Sequence, residues 1–212
     1  IKFSFIMHDI FFQNLLRTFV AIDPLSLIPL FVVITSNIDS KQTLKLSLMV
    51  FLITSSVLTF FLLFGNVFLA FMGISINSFQ IVGGIFLLFI SYEMVFEKRM
   101  KRKKNLSEAI LDDKNLNNIA VFPISIPLIV GPSALTLSVL ISKNFNYTIL
   151  DFYTQFLPMI LILMLTSIMI IFSTYLLKVL NETIIKILQK IFGIILGALS
   201  VEFIINGIKG VV

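Results

Sequence analysis

The stretch AIDPLSLIPLF, residues 21–31, sets one aspartate and two prolines inside an otherwise apolar run. Its meaning depends on its surroundings, and these are apolar nearly throughout. Of 212 residues, 58% are hydrophobic, 13% are charged and 23 are phenylalanine, with a mean hydropathy of +1.07. Soluble domains carry about 25% charged residues. Half that share cannot cover a water-facing surface, so lipid is the solvent for most of this chain.

A helix crossing the bilayer core needs about 20 mostly apolar residues. Six stretches qualify: 11–36, 46–71, 79–97, 119–142, 153–177 and 185–208. Two of them, 46–71 and 153–177, contain no Lys, Arg, Asp or Glu. Lipid offers no partner to open backbone groups, so all six are expected to be helices. The alternation of a membrane β-barrel is absent. No small-residue cleavage site follows the first apolar run, which is therefore expected as a retained membrane segment. The fold class expected is an all-α membrane protein.

Several functions are excluded early. The chain has no cysteine, hence no disulfide and no thiolate metal site. His8 is the only histidine and reads as an interfacial polar residue. An aspartyl dyad, a Ser-His mechanism or a metal site would each need partners at depth that are missing. The chain is expected not to be an enzyme and to need no cofactor or metal.

The longest hydrophilic stretch is KRMKRKKNLSEAILDDKNLNN, 98–118. No aromatic residues interleave its basic run, which abuts a span, so a nucleic-acid partner is not expected. The run reads instead as topology. Alternate connections lie on opposite sides of the membrane. The side holding 37–45, 98–118 and 178–190 carries twelve of the 16 Lys and Arg residues. The other side holds Lys2, Lys143 and Lys209, with Arg17 inside the first span. Cytoplasmic loops collect Lys and Arg. Both termini are therefore expected outside, with the mixed basic and acidic loop 98–118 in the cytoplasm.

The two halves of the chain are alike. QIVGGIFLLFISYE, 80–93, and QKIFGIILGALSVE, 189–202, match at six of fourteen positions with a constant offset of 109. The matches include Gln80/Gln189, Gly84/Gly193, Ser91/Ser200 and Glu93/Glu202. Asp23-Pro24 and Gly131-Pro132 stand at nearly the same offset, 108. A repeat unit of three spans, an odd number, must enter the membrane from opposite faces in its two copies. The organisation expected is a first three-helix repeat, 1–97, the loop 98–118, and an inverted second repeat, 119–212. Many secondary transporters are built this way.

This frame gives the opening stretch its meaning. A proline inside a helix removes one backbone hydrogen bond and clashes with the carbonyl four residues back. Pro24 falls midway through the first span and Pro132 midway through the fourth. The first helix of each repeat is thus expected to break near the midplane, around a shared polar cavity. Asp-Pro also reads as a helix start, with Asp23 as N-cap and Pro24 in the first turn. Pro29 disturbs the new segment, so 24–29 is expected to be partly unwound.

The breaks offer complementary chemistry. A half-helix N-terminus presents unpaired N–H groups and a partial positive charge. A zwitterion's carboxylate would sit on such groups at Gly131, Pro132, Ser133 and Ala134, and its ammonium would face Asp23. Pro24 and Ser26 complete the candidate binding set. Burial favours the neutral form of a carboxyl, which also makes Asp23 a candidate for proton coupling. Glu93 and Glu202, near the ends of their spans, are candidate gates or interfacial groups.

IDPLSLIPLF, FQIVGGIFLLFISYEMVFE and PISIPLIVGPSALT resemble, in order and over nearly the whole chain, the MarC family of multi-pass inner-membrane proteins. This SnatA-type or UPF0056 family is grouped with the LysE-like transporter superfamily. Where relatives often have Gly and Asn after Asp-Pro-Leu, this chain has Ser26 and Leu27, and Ser133 stands in place of a common Gly. The resemblance implies a bacterial inner-membrane location and transport or export of a neutral amino acid. The expected partners are an amino acid-like solute, the lipid bilayer and a coupling ion, H+ or Na+, with a homo-oligomer left open. The alternative is a non-transporting membrane scaffold or envelope-regulatory protein.

Overall fold

A computed structural model describes residues 2–36, 38–99 and 115–211, and these are helical almost throughout. The main helices are α1 (Lys2–Ile22), α2 (Ile28–Thr35), α3 (Ser40–Phe71), α4 (Ile76–Val95), α5 (Pro132–Ser142), α6 (Leu157–Ile171), α7 (Ser173–Val179) and α8 (Glu182–Lys209). Five stretches are long and apolar enough to cross a membrane: Met7–Thr35, Ser40–Phe71, Ile76–Val95, Ile149–Ile171 and Thr183–Lys209. A sixth is the pair Leu116–Ile129 and Pro132–Ser142, bent by 68°. The expected spans are present with shifted ends. The fifth starts at Ile149 and its helix is interrupted at Phe172, so 153–177 is not one continuous rod.

Short polar residues set the helix starts. Asp39 accepts from the Gln42 amide at 2.7 Å while the Gln42 side chain accepts from the Asp39 amide, a reciprocal cap opening α3. Ser75 caps α4 through the Ser78 amide and Asn181 caps α8 through the Ile184 amide, both at 3.0 Å. At 32 residues α3 is about 48 Å long by its rise per residue. That exceeds the bilayer core, so α3 must tilt or project.

Much of the interior is an apolar cluster. Ile22, Leu27, Ile28 and Phe31 from the broken first span pack with Leu46, Leu58 and Leu62 of α3 and Ile170 of α6, each almost fully buried. Large side chains also point outward: Phe60, Phe64, Phe68 and Phe71 on α3, and Ile187, Ile191, Ile194 and Ile195 on α8, are exposed. Such faces suit lipid and would be an aggregation hazard in water.

The helices α4 and α8 meet through glycines. A methyl group on Gly84 would lie 2.8 Å from the Ser200 carbonyl oxygen, and one on Gly193 would lie 3.2 Å from the Ser91 carbonyl oxygen. Gly207 likewise abuts the Asn77 carbonyl oxygen. Numbers rise along one helix as they fall along the other, so the two run antiparallel. The contacts are also exchanged: Gly84 faces Ser200, and its counterpart Gly193 faces Ser91, the counterpart of Ser200. Ser91 Oγ donates to the Gly193 carbonyl across this seam at 2.7 Å. Close backbone approach and cross-helix hydroxyl bonds are how helices adhere in lipid, where no hydrophobic force drives them together.

Most of the hydrophilic loop expected over 98–118 lies outside the described residues. Its edges need correction. Arg99 is 4% exposed and folds into the protein, and residues 116–118 belong to a short helical turn, Leu116–Ile119.

Candidate functional site

The first break is at Asp23. Its backbone is left-handed, φ 55° and ψ 62°, a conformation uncommon for a residue with a side chain but tolerated by Asp. Pro24 cannot donate a backbone hydrogen bond and starts a tight 3-10 turn, Pro24–Leu27. With Pro29 in its first turn, α2 then resumes at Ile28. The restart at Pro24 matches the expectation, whereas 24–29 is not unwound as expected: residues 24–27 form a tighter helical turn and 28–29 are already in α2. The expected cap is not made either: the Asp23 side chain makes no capping hydrogen bond. Capping uses an extended backbone at the N-cap, and the left-handed turn aims the carboxylate elsewhere.

It points inward, where Asp23 is 1% exposed. Arg99 Nε lies 3.5 Å from Asp23 Oδ2, and Gln189 Nε2 donates to the same oxygen at 3.2 Å. The ion pair is buried on both sides, at 5% and 1% side-chain exposure. Arg99 reaches this position because α4 ends at Val95 and Glu97 turns the chain with φ 62°. Glu97 in turn accepts Lys190 Nζ at 2.8 Å in a more exposed pair. Hydropathy alone places Arg99 in a solvated loop. The usable signal was the buried acid itself, since a charge at membrane depth needs a cation or a polar cavity.

Three carbonyls at the break find side-chain donors. Ser133 Oγ donates to Ala21 O at 2.6 Å, Arg99 Nη2 reaches Ile22 O at 3.5 Å, and Ser26 Oγ donates to Asp23 O at 2.9 Å. The Ser133 bond joins the two breaks, because Ser133 is in the first turn of α5. That second break has its own cause. Backbones at Phe122 (φ −131°, ψ 127°) and Ile126 (φ −126°, ψ 124°) are extended, and each residue precedes a proline. The proline ring disfavours the helical conformation for the residue before it. Gly131, also extended, then starts α5 with Pro132 in the first turn. A side chain at Gly131 would meet the Pro127 carbonyl oxygen at 2.9 Å. Ser133 and Ala134 are buried, and their amides are among those a helix leaves unpaired in its first turn.

The Ser133 bond thus links the break that carries Asp23, Pro24 and Ser26 to the one that carries Gly131, Pro132, Ser133 and Ala134, with Pro132 exposed, and Arg99 and Gln189 meet the Asp23 carboxylate. The structure does not bring the two candidate gates together. Glu93 is buried in α4, whereas Glu202 is exposed on α8 and accepts Asn206 Nδ2 at 2.9 Å.

A second polar region lies nearer the opposite end. A cleft of about 580 Å³ is lined by Gln13, Asn14 and Arg17 of α1, Gln80 of α4, Lys143 and Gln155, with Leu137, Leu140 and Phe203 on its apolar side. Gln80 Oε1 is buried with no hydrogen-bond partner among the described residues. Lys143 Nζ donates to Asn77 at 3.1 Å. Asp151, behind Gln155, is occupied by Asn146, Thr148 and Gln155.

Comparison with known proteins adds the lineage. A sequence profile described as MarC family integral membrane protein matches residues 8–212. The chain is 31% identical to the UPF0056 membrane protein BU267 of Buchnera aphidicola, over 90% of this chain and 87% of that protein. It is 30% identical to the UPF0056 membrane protein MJ0972 of the archaeon Methanocaldococcus jannaschii, over 95% of this chain and 88% of that one. It is 29% identical to the UPF0056 membrane protein YhcE of Escherichia coli, over 98% and 96%. No solved structure matches the chain.

Proposed function

This chain belongs to the MarC family of integral membrane proteins, and on that premise we propose that it transports or exports a small zwitterionic solute, a neutral amino acid in the first instance, by alternating access. The moving parts are two inverted three-helix halves, 1–97 and 119–212. The observation that carries this reading is an asymmetry between the ends. Toward one end the buried Asp23–Arg99–Gln189 cluster seals the junction of the two breaks. Toward the other, a polar cleft reaches in along α1. A transporter caught accessible from one side has this form. The antiparallel seam of α4 and α8, with its exchanged glycine contacts, supports the inverted relation.

In this mechanism Arg99 holds the place of the solute's ammonium. A solute arriving at the junction exchanges its cation for the guanidinium on Asp23, and its carboxylate takes the first-turn amides of α5 near Ser133 and Ala134. Releasing Arg99 loosens the sealed end. Glu93 and Glu202 serve as gates at the ends of their helices, and H+ or Na+ is the coupling ion. The basic side, 98–118 included, faces the cytoplasm, which makes the sealed end the inner one. The test is uptake and efflux in proteoliposomes across a panel of amino acids. Flux above empty liposomes that disappears in Asp23→Asn is the expected result. No flux for any member would sink the reading and leave a scaffold role.

A further inference from the structure

Arg17 is not used by the mechanism above. It lies on α1 six residues before the Asp23 break, about 9 Å along the helix. It is half-buried, lines the polar cleft, and has no hydrogen-bond or ion-pair partner among the described residues. No carboxylate is among the residues lining that cleft. The other cation there, Lys143, is engaged by Asn77, and the nearby acid, Asp151, is saturated by its own loop. An arginine inside a membrane span is expensive and ordinarily pairs or faces a functional cavity. This one faces a cavity.

We propose that Arg17 is the anchor of a carboxylate-binding site in the cleft, taking a small monocarboxylate with an apolar body. The guanidinium is planar and always charged, and grips a carboxylate through two parallel hydrogen bonds. Leu137, Leu140 and Phe203 supply the wall for the body, and Gln13, Gln80 and Gln155 supply neutral hydrogen-bonding groups that leave the positive charge uncancelled. In a low-dielectric cleft such a charge concentrates anions. The assignment deepens the transport reading and rests on it for the solute's onward path, though not for binding.

The test uses the full chain in detergent and three probes of one shape: leucine, isocaproate (the acid without the amine) and leucinamide (the amine without the acid). Leucine and isocaproate are expected to bind and leucinamide not. Arg17→Gln should weaken both carboxylates by at least about tenfold, and Arg17→Lys by less. If Arg17→Gln fails to fold, the wild-type protein decides. Its arginines are Arg17, Arg99 and Arg102, and isocaproate should protect Arg17 from phenylglyoxal, read by mass spectrometry. Equal binding of leucinamide, wild-type affinity in Arg17→Gln, no binding of either carboxylate, or no protection of Arg17 would each overturn the site. Protection without flux in liposomes leaves this site standing and removes transport. Flux of leucine, with no protection of Arg17, does the reverse.

Discussion

At Asp23 and at Gly131 the chain leaves its helix at points 108 residues apart, in halves that resemble each other, yet the two interruptions are built from different chemistry. The first is a left-handed aspartate and a tight turn, and it places a carboxylate in the interior. The second is an extended, proline-spaced segment closed by a residue with no side chain, and it presents amides. One break offers negative charge and the other offers donors, and a hydrogen bond from Ser133 to Ala21 O joins them. The lesson is that breaks at like places in the sequence can differ in what the gap displays. Two unlike sites are what a zwitterion needs.

Removing one member of the buried ion pair is the most severe way to break that contrast. Asp23→Ala or Arg99→Ala each strands a charge in the interior and should cost about 3–5 kcal/mol, read as thermal unfolding in detergent. Neutralising both, as Asp23→Asn with Arg99→Gln, should recover most of the loss. A recovery no better than additive would show that the two do not act as a pair. The second break should respond to size instead of charge. Gly131→Ala pushes a methyl against the Pro127 carbonyl oxygen and should cost about 1–3 kcal/mol. Ser133→Ala, which strips Ala21 O of its partner, should cost about 1–2 kcal/mol. Double-mutant coupling of Ser133→Ala with Gly131→Ala tests whether they share one junction. The smallest effect is expected at the exposed Lys190–Glu97 pair, where Lys190→Ala should change stability by less than about 1 kcal/mol.

The contrast between the ends can be sharpened in membranes. The chain has no cysteine, so single replacements report cleanly. A membrane-impermeant maleimide should label Gln155→Cys, in the cleft, from one side. It should leave Ser26→Cys, at the sealed junction, unlabelled until Arg99 is also removed. Labelling of both at equal rates in the otherwise unaltered protein would erase the distinction between an open and a closed end.

Much of this architecture was legible from residue order. Hydropathy gives the spans because lipid demands long apolar helices, and Pro24 and Pro132 mark the breaks because proline has no amide to donate. The stretch 24–29 reads as disturbed because two prolines fall within one turn and a half. What stayed hidden was non-local. Nothing near Asp23 announces where its carboxylate goes once the left-handed turn has aimed it inward, since the groups that receive it, Arg99 and Gln189, stand 76 and 166 residues away in the sequence. Arg99 sits at the edge of a cationic run, and a run of like charges reads as solvated surface. One member turning inward through the Glu97 bend leaves no periodic trace. The polar cleft was equally invisible, for it is assembled from single residues on separate helices.

The glycine seam between α4 and α8 restricts how such a protein can change shape. Each notch accepts backbone where any side chain would collide, so shifting one rod along the other by a single residue would jam several notches at once. Any relative motion of the two halves at this seam must therefore be a pivot about the notches and not a slide along them.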